Sequence, residues 1–305
     1  MILLVYVDDI ILVGSSDSLL SSFITSLKTA FAMKDLGPLH HFLGIEATFD
    51  TSSTKLLLTQ NKYSLELLKK HDMMGCKPCR TPVSHGQKDS ISDGVPLPDA
   101  TVYKRLVGGL QYLTLTRPNI SFALAKRILR YIKGSLEQGI TRRSGDCRKL
   151  VSYCDSDWEG FPDTRKSTSR YCVFIGGNLV SWSLKKKQTI SRSSTEAEYR
   201  GLANADAEIL WLSYLFEELS VRLCLPCTLY CDNMGAGSLT TNPIFHARTK
   251  HIEVDYHMVR NLVNFGFLRV SYIRTLSQIV DFFTKGLSKD QFHDLRCKLM
   301  PSVKA

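Results

Sequence analysis

Four acidic residues stand at the ends of apolar segments. Asp155 follows KLVSYC, Glu198 lies in SSTEAEYRGLANADAEILWLSYLFEEL, Asp232 ends CTLYC, and Asp281 lies in SQIVDFFTKGL. Hydrolysis of a phosphodiester by two metal ions needs several carboxylates converging on one point, with the ions about 3.5–4 Å apart to activate a water and stabilise the leaving oxygen. Each acid also has a plainer role open to it. Asp155 could close a strand in a turn, Glu198 could be a solvated first-turn acid, Asp232 could cap a helix, and Asp281 could sit on a helix dipole.

Local pattern weighs these roles. Strand alternation puts Tyr153 and Asp155 on one face and Cys154 on the other. An aspartate in a central strand is costly unless paired or bound to metal, and Asp157 shares that face as a rival. Positions 198, 202, 205, 209, 212 and 216 read Glu, Leu, Ala, Ile, Leu and Phe, so Glu198 heads an apolar stripe that leans toward a sheet. The solvated role suits Glu196 better. Asp232-Asn233 followed by Gly235-Ala236-Gly237 reads as a strand leading into a helix, where ligands of open α/β sheets collect. A second acidic motif, Asp8-Asp9 in MILLVYVDDIILVG, falls at the tip of a hairpin between two apolar runs. Adjacent carboxylates there either hold a divalent cation or form a solvated turn.

The elements that must position these residues follow from periodicity. After the hairpin, Asp17 can cap a helix carrying Leu19, Leu20, Phe23, Ile24, Leu27 and Phe31. Strands are expected at 39–49 and 55–59, a helix at 61–74, and a long polar loop at 80–100. Residues 101–133 read as helical with a break at Arg117-Pro118, and the polar stretch 139–148 reads as a boundary. Beyond it come strands at 149–154, 170–176 and 178–183, a helix at 194–219, and a strand at 227–231. A helix at 250–264, a strand at 267–273 and a helix at 277–286 follow. The crossover helix lets the fourth strand run parallel to the first.

Composition fits that organisation. The 305 residues suit one large domain or two ordinary ones, and 44% hydrophobic with 22% charged residues excludes a disordered chain. A net charge of +10 favours a polyanionic partner. No apolar run is long enough to span a bilayer, so no membrane role is expected. The apolar start Met1–Val7 lacks the basic flank and cleavage pattern of a signal peptide. The nine cysteines then read as free thiols in a reducing, intracellular compartment. The spacings Cys76/Cys79 and Cys224/Cys227 lie far apart and lack a histidine at finger spacing, which disfavours a zinc site.

The residue blocks also carry a family resemblance. LLVYVDDIILVG, MKDLGPLHHFLGIE and YKRLVGGLQYLTLTRPNISFA resemble successive blocks of copia-type retrotransposon reverse transcriptase over most of residues 2–124. YCDSDWEGFPDTRKSTSRYCVFIGGNLVSWSLKKKQTISRSSTEAEYRGLA, LYCDNMGAGSLTTNPIFHARTKHIEVDYHMVR and SQIVDFFTKGL resemble the RNase H domain of the same Pol polyproteins over about 149–290. The resemblance implies an α/β fold. Its core is an RNase H-like mixed sheet with flanking helices, preceded by an α+β remnant of the reverse transcriptase palm, thumb and connection. It divides the chain into a truncated reverse transcriptase remnant at 1–124, a connection at 125–148, the RNase H-like domain at 149–290 and a tail at 291–305.

The resemblance further implies a catalytic, metal-binding tetrad of Asp155, Glu198, Asp232 and Asp281, holding Mg2+ or Mn2+ and cleaving the RNA of an RNA–DNA hybrid. The family reads Ala-Asp at the last acid, where this chain has Val280-Asp281. Of His246, His251 and His257, His251 is expected to approach the site as a proton shuttle or product-release aid, with a plain surface position equally open. Arg165-Lys166 and Lys185-Lys186-Lys187 suit phosphate contacts, although such runs are usually solvated charge. Trp158 and Trp182 fit core packing better than base stacking. Asp8 and Asp9 match the polymerase motif, but the family's upstream palm aspartate and fingers region have no counterpart in the 305 residues, so polymerase activity is not expected. RPNISFAL also runs directly into AKRILRYIKG near residue 124, where the family pattern has a helix-sized segment between them. A non-catalytic nucleic-acid-binding remnant is the competing expectation.

Overall fold

A computed structural model of the chain describes residues 1–50, 52, 54–83, 99–121, 125–160, 163–241, 253–283 and 285–300. The junction at 122–124, His246 and His251 lie outside them.

Strands β1 (Ile2–Tyr6) and β2 (Asp9–Val13) form the expected hairpin, with Tyr6 opposite Asp9 and Val7-Asp8 at the tip. Helix α1 (Asp17–Ala30) follows. Its cap is Ser16, whose hydroxyl accepts from the Leu19 N–H, while Asp17 takes the first-turn position that suits the helix dipole. No residue of α1 is buried. Strands β3 (His41–Phe42), β4 (Ile45–Phe49) and β5 (Lys55–Thr59) lead to α2 (Asn61–Lys70). Helix α3 (Ala100–Leu113) ends before a 3-10 turn at Pro118–Ile120, where proline lacks the N–H that would continue an α-helix.

Residues 125–148, expected as a connection, contain two packed elements. Helix α4 (Ala125–Lys133) buries Ile128, Leu129, Tyr131 and Ile132. Strand β6 (Ile140–Arg143) pairs with β5 and completes an antiparallel sheet in the order β3-β4-β5-β6.

The second sheet positions the acids. Strands β7 (Leu150–Asp157), β8 (Thr168–Ile175) and β9 (Asn178–Lys186) run antiparallel. Helix α5 (Ser194–Glu218) then crosses to β10 (Cys227–Cys231), which lies parallel to β7. Helices α6 (Met234–Thr241) and α7 (Glu253–Asn264) precede β11 (Leu268–Tyr272), parallel to β10. The order β11-β10-β7-β8-β9 gives a mixed sheet with helices on both faces, the architecture that the family resemblance implies.

Each face of this sheet closes its own core. Cys154, Val173 and Leu229 pack with Tyr199, Leu202 and Ile209 of α5 and with Tyr256 and Val259 of α7. Cys172, Phe174 and Leu179 pack on the other face. They meet Leu110, Leu113, Leu129 and Ile132 from the N-terminal helices and Phe282 and Phe283 from the C-terminal segment. The alternation of Cys154 and Tyr153 between these cores is the one read from the sequence.

Two C-terminal expectations need correction. The described residues of 277–286 form no α-helix; two 3-10 turns, Thr275–Ser277 and Ile279–Phe283, stand there. Val280, Phe282 and Phe283 are all buried in one core, and the Gln278 side chain donates to the Cys154 carbonyl at 2.9 Å, which pins the segment to the sheet. The expected tail instead contributes to α8 (Lys289–Leu299), capped by Ser288, with Phe292, Leu295 and Leu299 buried at helical spacing.

Candidate active site

Asp155 lies inside β7, directly across the ladder from Arg170 of β8. Residues opposed in an antiparallel pair share a face. The Arg170 Nη2 donates to Asp155 Oδ2 and, at 3.4 Å, to Asp281 Oδ1. Asp281 comes from the 3-10 turn at Ile279–Phe283 and also accepts from Lys285 Nζ at 2.8 Å. Asp155, Arg170 and Asp281 are 5%, 2% and 6% exposed. Burial pushes the Asp281 carboxyl up from its ordinary value, against the pull of Arg170 and Lys285. Burial also lowers the Arg170 guanidinium, opposed by Asp281, Glu198 and Asp232.

Glu198 and Asp232 approach from the other side. Ser193 caps α5 by accepting from the Glu196 N–H. Glu196 is not the solvated acid expected: its carboxylate accepts the Arg192 N–H at 2.8 Å and pairs with Arg200 at 2.9 Å. Glu198, two residues further along α5, is buried. Burial, reinforced by Cys231 and Asp232, pushes its carboxyl up to about 9. Asp232 follows β10 and is half-buried. The capping role at α6 falls to Asn233, whose Oδ1 accepts from the Ala236 N–H at 2.9 Å, and not to Asp232.

Cys231 is the residue that sequence reading missed. Its thiol lies 3.8 Å from Glu198 Oε2, and ligand atoms of Glu198, Cys231 and Asp232 lie within 4.8 Å of one another. Its position as the last inward residue of CTLYC, beside Asp232, was the available signal. Glu198 and Asp232 offer the oxygen ligands that Mg2+ or Mn2+ takes, and the Cys231 thiol beside them is a softer ligand. Asp155 and Asp281 do not present open oxygens in the same way, because Arg170 and Lys285 bond to them. Asp157, the rival first acid, accepts the Thr168 N–H within the ladder.

The basic residues gather at the ends of β8 and β9. Arg165, Lys185 and Lys186 are exposed, while Lys166 and Lys187 are half-buried. The Lys187 N–H donates to the Ser167 carbonyl at 2.8 Å and joins the two segments. Trp182 packs against the core, and Trp158 donates to the Ser191 carbonyl at 3.0 Å. Asp8 and Asp9 are exposed, and no third potential metal ligand joins them among the described residues.

Residues 1–85 match the family model described as reverse transcriptase (RNA-dependent DNA polymerase). The chain is 43% identical over 314 aligned residues to the retrovirus-related Pol polyprotein from transposon RE1 of Arabidopsis thaliana, covering 97% of this chain and 21% of that protein. It is 44% identical to the Arabidopsis thaliana mitochondrial protein AtMg00810, covering 70% of this chain and 95% of that one. The chain belongs to the Pol polyprotein family of copia-type retrotransposons. It spans about a fifth of the length of the transposon Pol relatives it matches. Among solved structures, RNase H1 from Halobacterium salinarum aligns with a TM-score of 0.33 and 12% identity, over 48% of this chain and 98% of that one. In this copia-type Pol segment, the reverse transcriptase match ends before α3, and Asp155, Glu198, Asp232 and Asp281 all lie beyond it.

Proposed function

We propose that this Pol segment carries the ribonuclease H step, endonucleolytic cleavage of the RNA strand of an RNA–DNA hybrid. The observation that carries the reading is the approach of four acids from four separate elements to one buried guanidinium. Arg170 bonds Asp155 and Asp281, and its charge faces Glu198 and Asp232. Mg2+, or Mn2+ in its place, would supply water activation and charge stabilisation at the leaving oxygen. Glu198 and Asp232, with Cys231 beside them, would hold it. Arg165, Lys166, Lys185, Lys186 and Lys187 bind phosphates along the hybrid, and the 2′-hydroxyl marks the strand to be cut. Polymerisation is not part of the proposal, since Asp8 and Asp9 stand apart from further acids among the described residues.

A labelled RNA–DNA hybrid titrated with Mg2+ tests the reading. Asp232→Asn keeps the side-chain shape and removes a charge the cation needs. It is expected to abolish cleavage while hybrid binding, which rests on the basic segments, stays within about twofold. Cleavage by Asp232→Asn at the parental rate would overturn the assignment. A second reading, hybrid binding without cleavage, is favoured by the hold of Arg170 on two of the acids. Binding with no cleavage at any Mg2+ concentration would select it.

A further inference from the structure

The acidic cluster is balanced unevenly. Asp155 and Asp281 face Arg170 and Lys285, two carboxylates against two cations. Among the described residues, no Lys or Arg makes an ion pair with Glu198 or Asp232. We propose that Arg170 is a built-in competitor of the divalent cation, its guanidinium holding the position between Asp155 and Asp281 so that metal reaches those two acids only by displacing it. The inference rests on the ribonuclease H reading of the site.

The geometry supports this hold from three directions. The β7–β8 register sets Arg170 opposite Asp155, so the backbone ladder itself aims the side chain at the first acid. Guanidinium is weakly hydrated and planar, which makes it the cation best suited to a site where the side chain is 2% exposed. A single nitrogen, Nη2, contacts a carboxylate oxygen from the sheet and one from the C-terminal turn. It therefore ties the sheet to the C-terminal turn. Charge-assisted hydrogen bonds of this kind are stronger than neutral ones, and a metal must break them before it can use either oxygen.

The full chain, stripped of metal, tests the proposal through Mn2+ binding, read as the loss of the free-ion signal in electron paramagnetic resonance. Arg170→Ser is expected to bind Mn2+ about tenfold to a hundredfold more tightly than the parent, the range set by the charge-assisted bonds that no longer need breaking. Its thermal midpoint should rise with MnCl2 more than the parent's does. Adding Asp281→Asn to Arg170→Ser should remove the gain. Arg170→Gln, which keeps a hydrogen-bond donor, should move the same way by less and serves where the serine variant does not fold.

Equal Mn2+ affinity in the parent and both variants would overturn the proposal. So would failure of both variants to fold even at saturating Mn2+, because metal could not then replace the guanidinium. Hybrid cleavage is scored separately. Tighter Mn2+ binding without cleavage by any form would leave this proposal standing and remove the ribonuclease reading. Cleavage by the parent with unchanged Mn2+ affinity in the variants would do the reverse.

Discussion

Arg170 stands directly across the β7–β8 ladder from Asp155, and its Nη2 donates to the Asp155 carboxylate in a part of the sheet closed to solvent. Removing one partner of a buried ion pair strands the other charge, at a cost of about 3–5 kcal/mol. Asp155→Asn is therefore expected to destabilise the protein near the lower end of that range, since Asp281 still faces Arg170. Asp232→Asn, at a half-buried strand end, is expected to cost less than about 1 kcal/mol. Urea unfolding of the two variants at pH 7 checks the contrast. Equal midpoints for both would show that the Asp155–Arg170 pair does not bear on stability.

The sequence made much of this arrangement legible, and the gaps have physical causes. Tyr153, Cys154 and Asp155 alternate between the two faces as the period of a strand requires. Glu198 heads the stripe that α5 buries, as its helical spacing implied. Arg170 was readable as a basic residue in a strand, but its ion pair depends on the pairing register, and register is a property of two segments together. The turn that carries Asp281 reads as an α-helix in the sequence; Val280, Phe282 and Phe283 instead all fill one core, a tertiary demand that local propensity does not carry. Helix α8 was missed although Phe292, Leu295 and Leu299 have helical spacing, since the family blocks end before it. Cys231 was passed over because a cysteine in a strand is most often a small core residue.

The second core is shared between the two halves of the chain. Leu110, Leu113, Leu129 and Ile132 pack with Phe174, Leu179, Phe282 and Phe292. A fragment beginning at Arg148 keeps the five-stranded sheet but uncovers that face. It is expected to show weakened near-UV circular dichroism and to bind a hydrophobic dye, whereas the full chain does neither. A fragment as ordered as the parent by both measures would show that α2–α4 are dispensable for this sheet.

Asp206 of α5 is fully buried, and neither of its carboxylate oxygens has a hydrogen-bond partner among the described residues. Burial pushes its carboxyl up to about 7 from an ordinary 3.8. A carboxyl raised in the folded state favours folding most below its unfolded value and loses that advantage as pH rises through the folded one. Asp206→Asn should therefore match the parent near pH 4 and exceed it by roughly 2–4 kcal/mol at pH 8. Thermal unfolding at the two pH values decides it; an unchanged difference between them would mean that Asp206 is not desolvated in solution.

Glu198 gives the same sign over a higher window. Its carboxyl is pushed up to about 9 in the metal-free site, chiefly by burial and then by Cys231 and Asp232. The folded state holds this proton where the unfolded chain releases it near the ordinary 4.5. Stability tied to the proton is complete below that value and falls as pH rises toward 9, by at most about 1.4 kcal/mol per pH unit. Glu198→Gln has no proton to release at this position. In metal-free protein its stability relative to the parent should climb steadily from pH 5 to pH 9, read by urea unfolding at each pH. Asp206 titrates in both proteins and cancels from the difference. Added Mn2+ should narrow the gap at pH 8, because a divalent cation binds the ionised carboxylate and stabilises the parent by mass action, whereas the amide is a poorer ligand. A difference between parent and variant that stays flat across the pH range, with or without Mn2+, would show that Glu198 is already ionised at neutral pH and that its surroundings are open to water.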